Sequence, residues 1–227
     1  MLPFSHEQFL ATFAEYNQAV WPSQVLAYAI GLGASACLVR SGAWASRTAA
    51  GGLILMWLWT GIVYHGLFFS RVNPAAYVFG AAFAVEAMLL GVAAWRGSLR
   101  LGAGRGGMHA RIGWSLIAYA LVGYPMAGAL SGMTYPHVPV FGITPCPLTL
   151  FTFGVLLLSP ARVPWWLLAV PAAWSLIGGS AAAILQVPQD WPLLFSALAA
   201  VLILVRQRNG ATTQGLRSAA PQGCRHP

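Results

Sequence analysis

The chain contains no lysine, and that omission removes one class of function. A retinal-binding pump or sensor needs a lysine amine for its Schiff base. Acidic side chains are almost as scarce: Glu7, Glu15, Glu86 and Asp190 are the whole set. The cysteines Cys37, Cys146 and Cys224 form no C-x-x-C pair and are odd in number, so neither a disulfide framework nor a zinc site is signalled. Histidine pairs at helical i, i+3 or i+4 spacing are missing too, which weighs against a helix-borne metal centre. No secretory leader is apparent: the first 20 residues carry Glu7 and Glu15, lack an arginine-rich start and hold no central apolar block.

What the chain has in excess is apolar surface. Of its 227 residues 58% are hydrophobic and only 7% charged, with a mean hydropathy of +0.69. That balance belongs to polytopic membrane proteins rather than soluble domains. All twelve basic residues are arginine, and they fall in gaps between apolar runs. No basic face interleaved with aromatics exists outside those gaps, so a nucleic-acid partner is not expected.

Charges and Pro/Gly clusters punctuate seven apolar segments, at 22–39, 48–69, 75–95, 112–131, 146–159, 164–185 and 191–205. Six approach the roughly 17–25 residues needed to cross a bilayer, and the fifth is short. The arginines support counting it. With seven spans, eleven of the twelve lie on one side, which the positive-inside rule makes cytoplasmic. Without the fifth, the four tail arginines would move outside. The expected fold is therefore an all-α integral membrane protein, a bundle of seven transmembrane helices, N-terminus out and C-terminus in.

Ahead of the bundle, residues 1–21 read as an amphipathic helix lying on the outer surface. Ser5 and Gln8 have capping-box spacing, and Phe9, Phe13, Tyr16 and Val20 recur on one face. Trp21-Pro22 ends that helix at an interface. Its role is that of an anchor or of a lid over an outer cavity. Residues 22–205 form the transmembrane domain, and 206–227 a polar, disordered cytoplasmic tail. The glycine-rich stretch 97–107 does not fit G-x-G-x-x-G and reads as a linker.

On this topology most remaining polar residues gather at the outer side, and they are the candidate ligand-binding set. Tyr64 and His65 sit near the outer end of span two. Arg71, the lone outside arginine, binds an anionic group or pairs with Asp190 or Glu15. Asn73-Pro74 reads as the N-cap and first position of span three. His137 lies in an arginine-free outer loop, Cys146 opens span five between Pro145 and Pro147, and Asp190 precedes span seven. Glu86 falls near the midplane, where a carboxylate faces the bundle interior; it is either a proton or cation relay or a protonated packing residue. Thr60 is its plausible partner at similar depth, with His65 some ~8–10 Å higher. His65, His137, Cys146 and Asp190 offer metal-type ligands, yet their spacing matches no motif, and no metal or cofactor is expected. Pro125 and Pro171 interrupt spans four and six, as fixed packing features or as walls of a cavity. Gly178 and Gly179 permit close helix approach.

The blocks EYNQAVWP, YHGLFFSRVNPAAY, FGITPCPLTLFTFG and WSLIGGSAAAIL resemble a family of bacterial multi-spanning membrane proteins of unknown function. The likeness covers residues 4 to about 205. It implies a bacterial inner-membrane protein and supplies no reaction or assigned residues. In that family a threonine often follows the second proline of the P-C-P block; here the position is Leu148. The residues point first to small-solute or ion transport or binding through a site open to the outer face. A membrane-embedded metal-dependent hydrolase or thiol redox protein is the alternative, and a structural or accessory subunit the third. The bilayer and a small molecule or ion are the expected partners, with homo-oligomerisation left open.

Overall fold

Ser5 begins the first helix as its spacing to Gln8 demands. Its hydroxyl accepts the Gln8 N–H at 3.1 Å while the Gln8 side chain accepts the Ser5 N–H at 2.8 Å. The computed structural model describes residues 3–40, 42–102 and 106–202. Arg105, the seventh apolar segment beyond residue 202 and the tail 206–227 lie outside the described residues.

Helices occupy most of that length, and no strand occurs among the described residues. α1 (His6–Ala19) is followed at once by α2 (Trp21–Leu38), with Pro22 in its first turn. α3 (Ala43–Trp59) continues as a π-helical segment, Thr60–Phe68, and a 3₁₀ turn, Phe69–Arg71. α4 (Ala76–Trp95) returns antiparallel to it. α5 (Met108–Ala118) passes through a second π segment, Tyr119–Gly123, into α6 (Tyr124–Leu130). After a loop come α7 (Pro145–Leu157) and α8 (Ala169–Leu185), then a 3₁₀ turn Pro188–Asp190 and a last helical stretch, α9, over 191–202. Four of these stretches are long and apolar enough to cross a membrane: Ala43–Arg71, Ala76–Trp95, Met108–Leu130 and Trp165–Leu185.

α7 is apolar but only 13 residues long, about 20 Å at 1.5 Å per residue. Every one of its residues is buried. It lies inside the bundle because α5, α8 and α3 pack around it. Thr149 and Thr152 satisfy their hydroxyls on the carbonyls four residues back, and Thr152 also accepts the Trp57 indole N–H at 3.0 Å.

Two glycine pairs set how closely helices approach. A Cβ on Gly80 would lie 2.6 Å from the Gly61 carbonyl oxygen, and one on Gly154 would lie 2.7 Å from that of Gly113. The π segment after α3 therefore meets α4, and α5 likewise meets α7, backbone to backbone where only glycine fits. Gly178 and Gly179 of α8 instead make room for the Leu193 and Leu194 side chains of α9, a close helix approach as their sequence context suggested.

The Asn73-Pro74 turn is a correction of detail. Asn73 Oδ1 accepts the Ala75 N–H at 3.1 Å, but α4 starts at Ala76, so asparagine shapes the turn rather than capping the helix directly.

Candidate functional site

At the end of the bundle that carries α1, an apolar cavity of about 150 Å³ opens between α1, α4, α7 and α8. Phe4, Phe9 and Phe13 form one wall, Phe69 and Phe79 another, and Ile177 and Ile184 a third. Tyr64, Asn73, Cys146 and Asp190 also line it. Four residues singled out from sequence positions that are far apart thus meet at one cavity.

Its polar corner is built by three elements. The Tyr124 O–H donates to Asp190 Oδ1, and the Cys146 thiol reaches the same carboxyl. Burial raises the Asp190 carboxyl to about 7, and the Tyr124 and Cys146 donors partly oppose that rise. Beside them a Cβ placed on Gly178 would lie 3.4 Å from Cys146 Sγ and 3.3 Å from Trp174 Nε1, so glycine keeps this spot open. The Tyr119 hydroxyl donates to the Gln189 carbonyl at 2.9 Å and holds the turn that presents Asp190.

Both π-helical segments serve this region. Thr60–Phe68 carries Tyr64 and His65, and Tyr119–Gly123 leads into Tyr124. A π turn adds a residue per turn and re-aims side chains, and such segments concentrate at functional sites. Pro125 accounts for the second, because its missing N–H breaks the α-helical ladder.

Behind the cavity lies a run of buried polar atoms with no hydrogen-bond partner among the described residues. They are both His65 nitrogens, Thr60 Oγ1 and both Glu86 oxygens. His65 is caged by aromatic rings, with Tyr64, Phe83 and Trp174 centroids at 5.0, 4.9 and 5.1 Å. It makes no backbone hydrogen bond, contrary to the ordinary expectation for an interface histidine. Thr60 does not bond to Glu86 either. The three still form a graded series. His65 lies against Gly80, Gly61 next to Thr60 lies against Gly80, Phe83 and Ala84, and Glu86 follows Gly80 by six residues, about 9 Å along α4. Buried polar groups are normally satisfied, so such a concentration calls for an explanation beyond packing.

Arg71 and His137 stand apart. Arg71 pairs with Glu15, one of its two expected partners, at exposures of 55% and 57%, and its guanidinium lies over the Phe68 ring. His137 is exposed and does not line the cavity. Among the described residues no three His, Cys, Asp or Glu side chains gather as a metal would require.

α1 is stitched down by a polar seam that its aromatic periodicity did not announce. Asn17 Nδ2 donates to the Pro136 and Val138 carbonyls at 2.7 and 2.8 Å. The Tyr16 hydroxyl donates to the Ile143 carbonyl at 2.7 Å and accepts the Trp59 indole N–H at 2.8 Å. Burial pushes the Tyr16 phenol above its usual range, which keeps it a donor. Tyr124 and Trp174 were also missed. The prolines Pro125 and Pro171 were the sequence signals near them, and neither pointed to the aromatic ring itself.

With this geometry in view, comparison adds an affiliation. Residues 6–214 match a family of unknown function, DUF6064. The chain belongs to that family. No curated protein and no solved structure matches it. The DUF6064 match takes in α1, the whole polar run and all of the cavity lining but Phe4, and it overlaps nearly all of the span of the resemblance read from EYNQAVWP and the three later blocks.

Proposed function

We propose that the chain is a seven-span protein of the bacterial inner membrane, N-terminus outside, that binds a small solute in the α1-end cavity. His65, Thr60 and Glu86 then form a proton or ion relay leading inward from it. In this reading residues 1–21 lie on the outer surface, 22–205 span the membrane, and 206–227 are a cytoplasmic tail.

The apolar exterior supports insertion. Leu26, Leu32, Leu55, Val78, Leu176 and Phe195 all face outward, more apolar surface than a soluble chain tolerates. On α4, exposed Tyr77 and Trp95 stand 18 residues apart, about 27 Å along the axis, which matches the hydrocarbon thickness between two aromatic belts. The observation that carries the relay is the unpartnered series His65, Thr60, Glu86 behind a cavity with Cys146 and Asp190 at its polar corner. An intramembrane carboxylate without a fixed partner is the expected mark of an ion pathway. Protein in liposomes should show proton- or ion-linked solute movement that Glu86→Gln abolishes. Undiminished flux in that variant would remove the relay.

A further inference from the structure

A second cavity occupies the opposite end of the bundle, and its chemistry differs. It measures about 700 Å³ and lies where the C-terminal ends of α2 and α4 meet the start of α3. Arg40, Arg47 and Arg100 line it, together with Ser46 and the apolar Leu38, Leu99 and Leu101. None of the chain's four acidic side chains lines it. The one ion pair among the described residues is Arg71 with Glu15, so these three guanidinium groups have no carboxylate.

The wall is a built one. Leu99 and Leu101 are buried, the Leu101 N–H donates to Ser46 Oγ at 2.8 Å, and Ser159 Oγ donates to the Arg100 carbonyl at 2.6 Å. The first bond holds the segment after α4 against the start of α3, and the second ties it to the end of α7. α3 also begins at Gly42 without a side-chain cap and with no acid in its first turn, which adds unopposed N–H groups to the same wall. Its depth is marked by Trp44 and Trp95, 69% and 84% exposed, on the adjoining ends of α3 and α4. Tryptophans so placed sit at lipid-headgroup level.

We propose that this cavity binds a phosphate group, and that the group belongs to an anionic phospholipid of the inner leaflet. Guanidinium forks match phosphate oxygens in pairs, and basic pockets between spans at the cytoplasmic side are suited to such headgroups. The apolar residues among the arginines then lie along the start of the acyl chains. The inference rests on the membrane reading above but not on the relay.

The test is native mass spectrometry of the full chain released from nanodiscs of mixed phosphatidylglycerol and phosphatidylcholine. Retained phosphatidylglycerol should exceed phosphatidylcholine. The preference should fall about tenfold or more in Arg40→Gln/Arg47→Gln/Arg100→Gln, and about fivefold in Arg47→Gln alone, a single exposed position that leaves the fold intact. It should persist in Arg111→Gln/Arg162→Gln, which removes charge from the same end but outside the cavity. Equal retention of the two lipids, or an equal loss in both multiple variants, would overturn the proposal. Displacement of phosphatidylglycerol by micromolar inorganic phosphate would overturn the lipid as source. A chain that never enters the nanodisc would instead count against the membrane reading.

Discussion

Tyr16→Phe should loosen α1 and open the α1-end cavity. The hydroxyl is fully buried, donates to the Ile143 carbonyl and accepts the Trp59 indole N–H. Its removal leaves two polar groups unmatched, each at a cost of about 1–3 kcal/mol when buried. Ile143 is buried, whereas Trp59 is half-buried and can turn to water, so a net loss of about 2 kcal/mol is expected. That loss falls on the contact between α1 and the bundle, because both partners lie outside α1. Phe9 and Phe13 of α1 line the cavity that Cys146 also lines, so the Cys146 thiol reports its opening. Lowering the cost of local opening by about 2 kcal/mol raises the open population about 30-fold. In a Cys224→Ser background, alkylation of Cys146 by a small maleimide should accelerate by about that factor. Tyr135→Phe is the internal control: its hydroxyl reaches the Asn17 carbonyl only at 3.4 Å, and its effect should stay under about threefold. A Cys146 rate in Tyr16→Phe equal to that of the parent chain would refute the cover role of α1.

Two further perturbations test the bundle. Gly80→Ala places a methyl 2.6 Å from the Gly61 carbonyl oxygen, backbone that cannot step aside, and should cost about 1–3 kcal/mol or more in thermal unfolding. Gly51→Ala meets nothing within 4 Å and should be neutral or slightly stabilising, so equal losses in the two would contradict the close Gly61–Gly80 contact. The Asp190 carboxyl is raised in the folded chain from 3.8 to about 7, so folding favours its protonated form. Its contribution is then full below pH 3.8 and is lost as pH rises through 7. A melting-temperature profile should slope downward across that window, and Asp190→Asn should flatten it; an unchanged slope would place the titration elsewhere.

Much of the fold could be read from the chain because apolar length and punctuation report helices directly. The Trp21-Pro22 break, the abrupt start at Pro145 and the Ser5–Gln8 cap are local signals, and each helix end follows from a few adjacent residues. The central position of α7 was not legible: its short length raised the doubt, but an apolar run reads alike against lipid or protein, and only the packing of α3, α5 and α8 around it buries it. The two π segments were not legible, because a π turn depends on what the helix packs against. The Gly61–Gly80 contact is likewise a relation between two segments, invisible in either alone. For the candidate site, Tyr64, Cys146 and Asp190 were found as polar residues in apolar surroundings, the same reasoning that flagged Arg71 and His137. What separates these groups is tertiary: Glu15 claims Arg71, and the loop carries His137 away from the cavity. Tyr124 and Trp174 escaped because aromatic residues in spans are common, and only their neighbours make these two notable.

The account turns on which side of the membrane the α1-end cavity faces. Labelling with a membrane-impermeant thiol reagent decides this most directly. One chain carries His137→Cys, with Cys146 and Cys224 replaced by serine; a second keeps Cys224, with Cys146 replaced by serine. His137 lies in the exposed loop beside α1, and Cys37 is buried in both chains. The account predicts that the His137→Cys chain reacts in spheroplasts, and that Cys224 of the second chain reacts only in inverted vesicles. Reaction of both from the same side would contradict an odd number of spans, and reversed labelling would place the cavity on the cytoplasmic face.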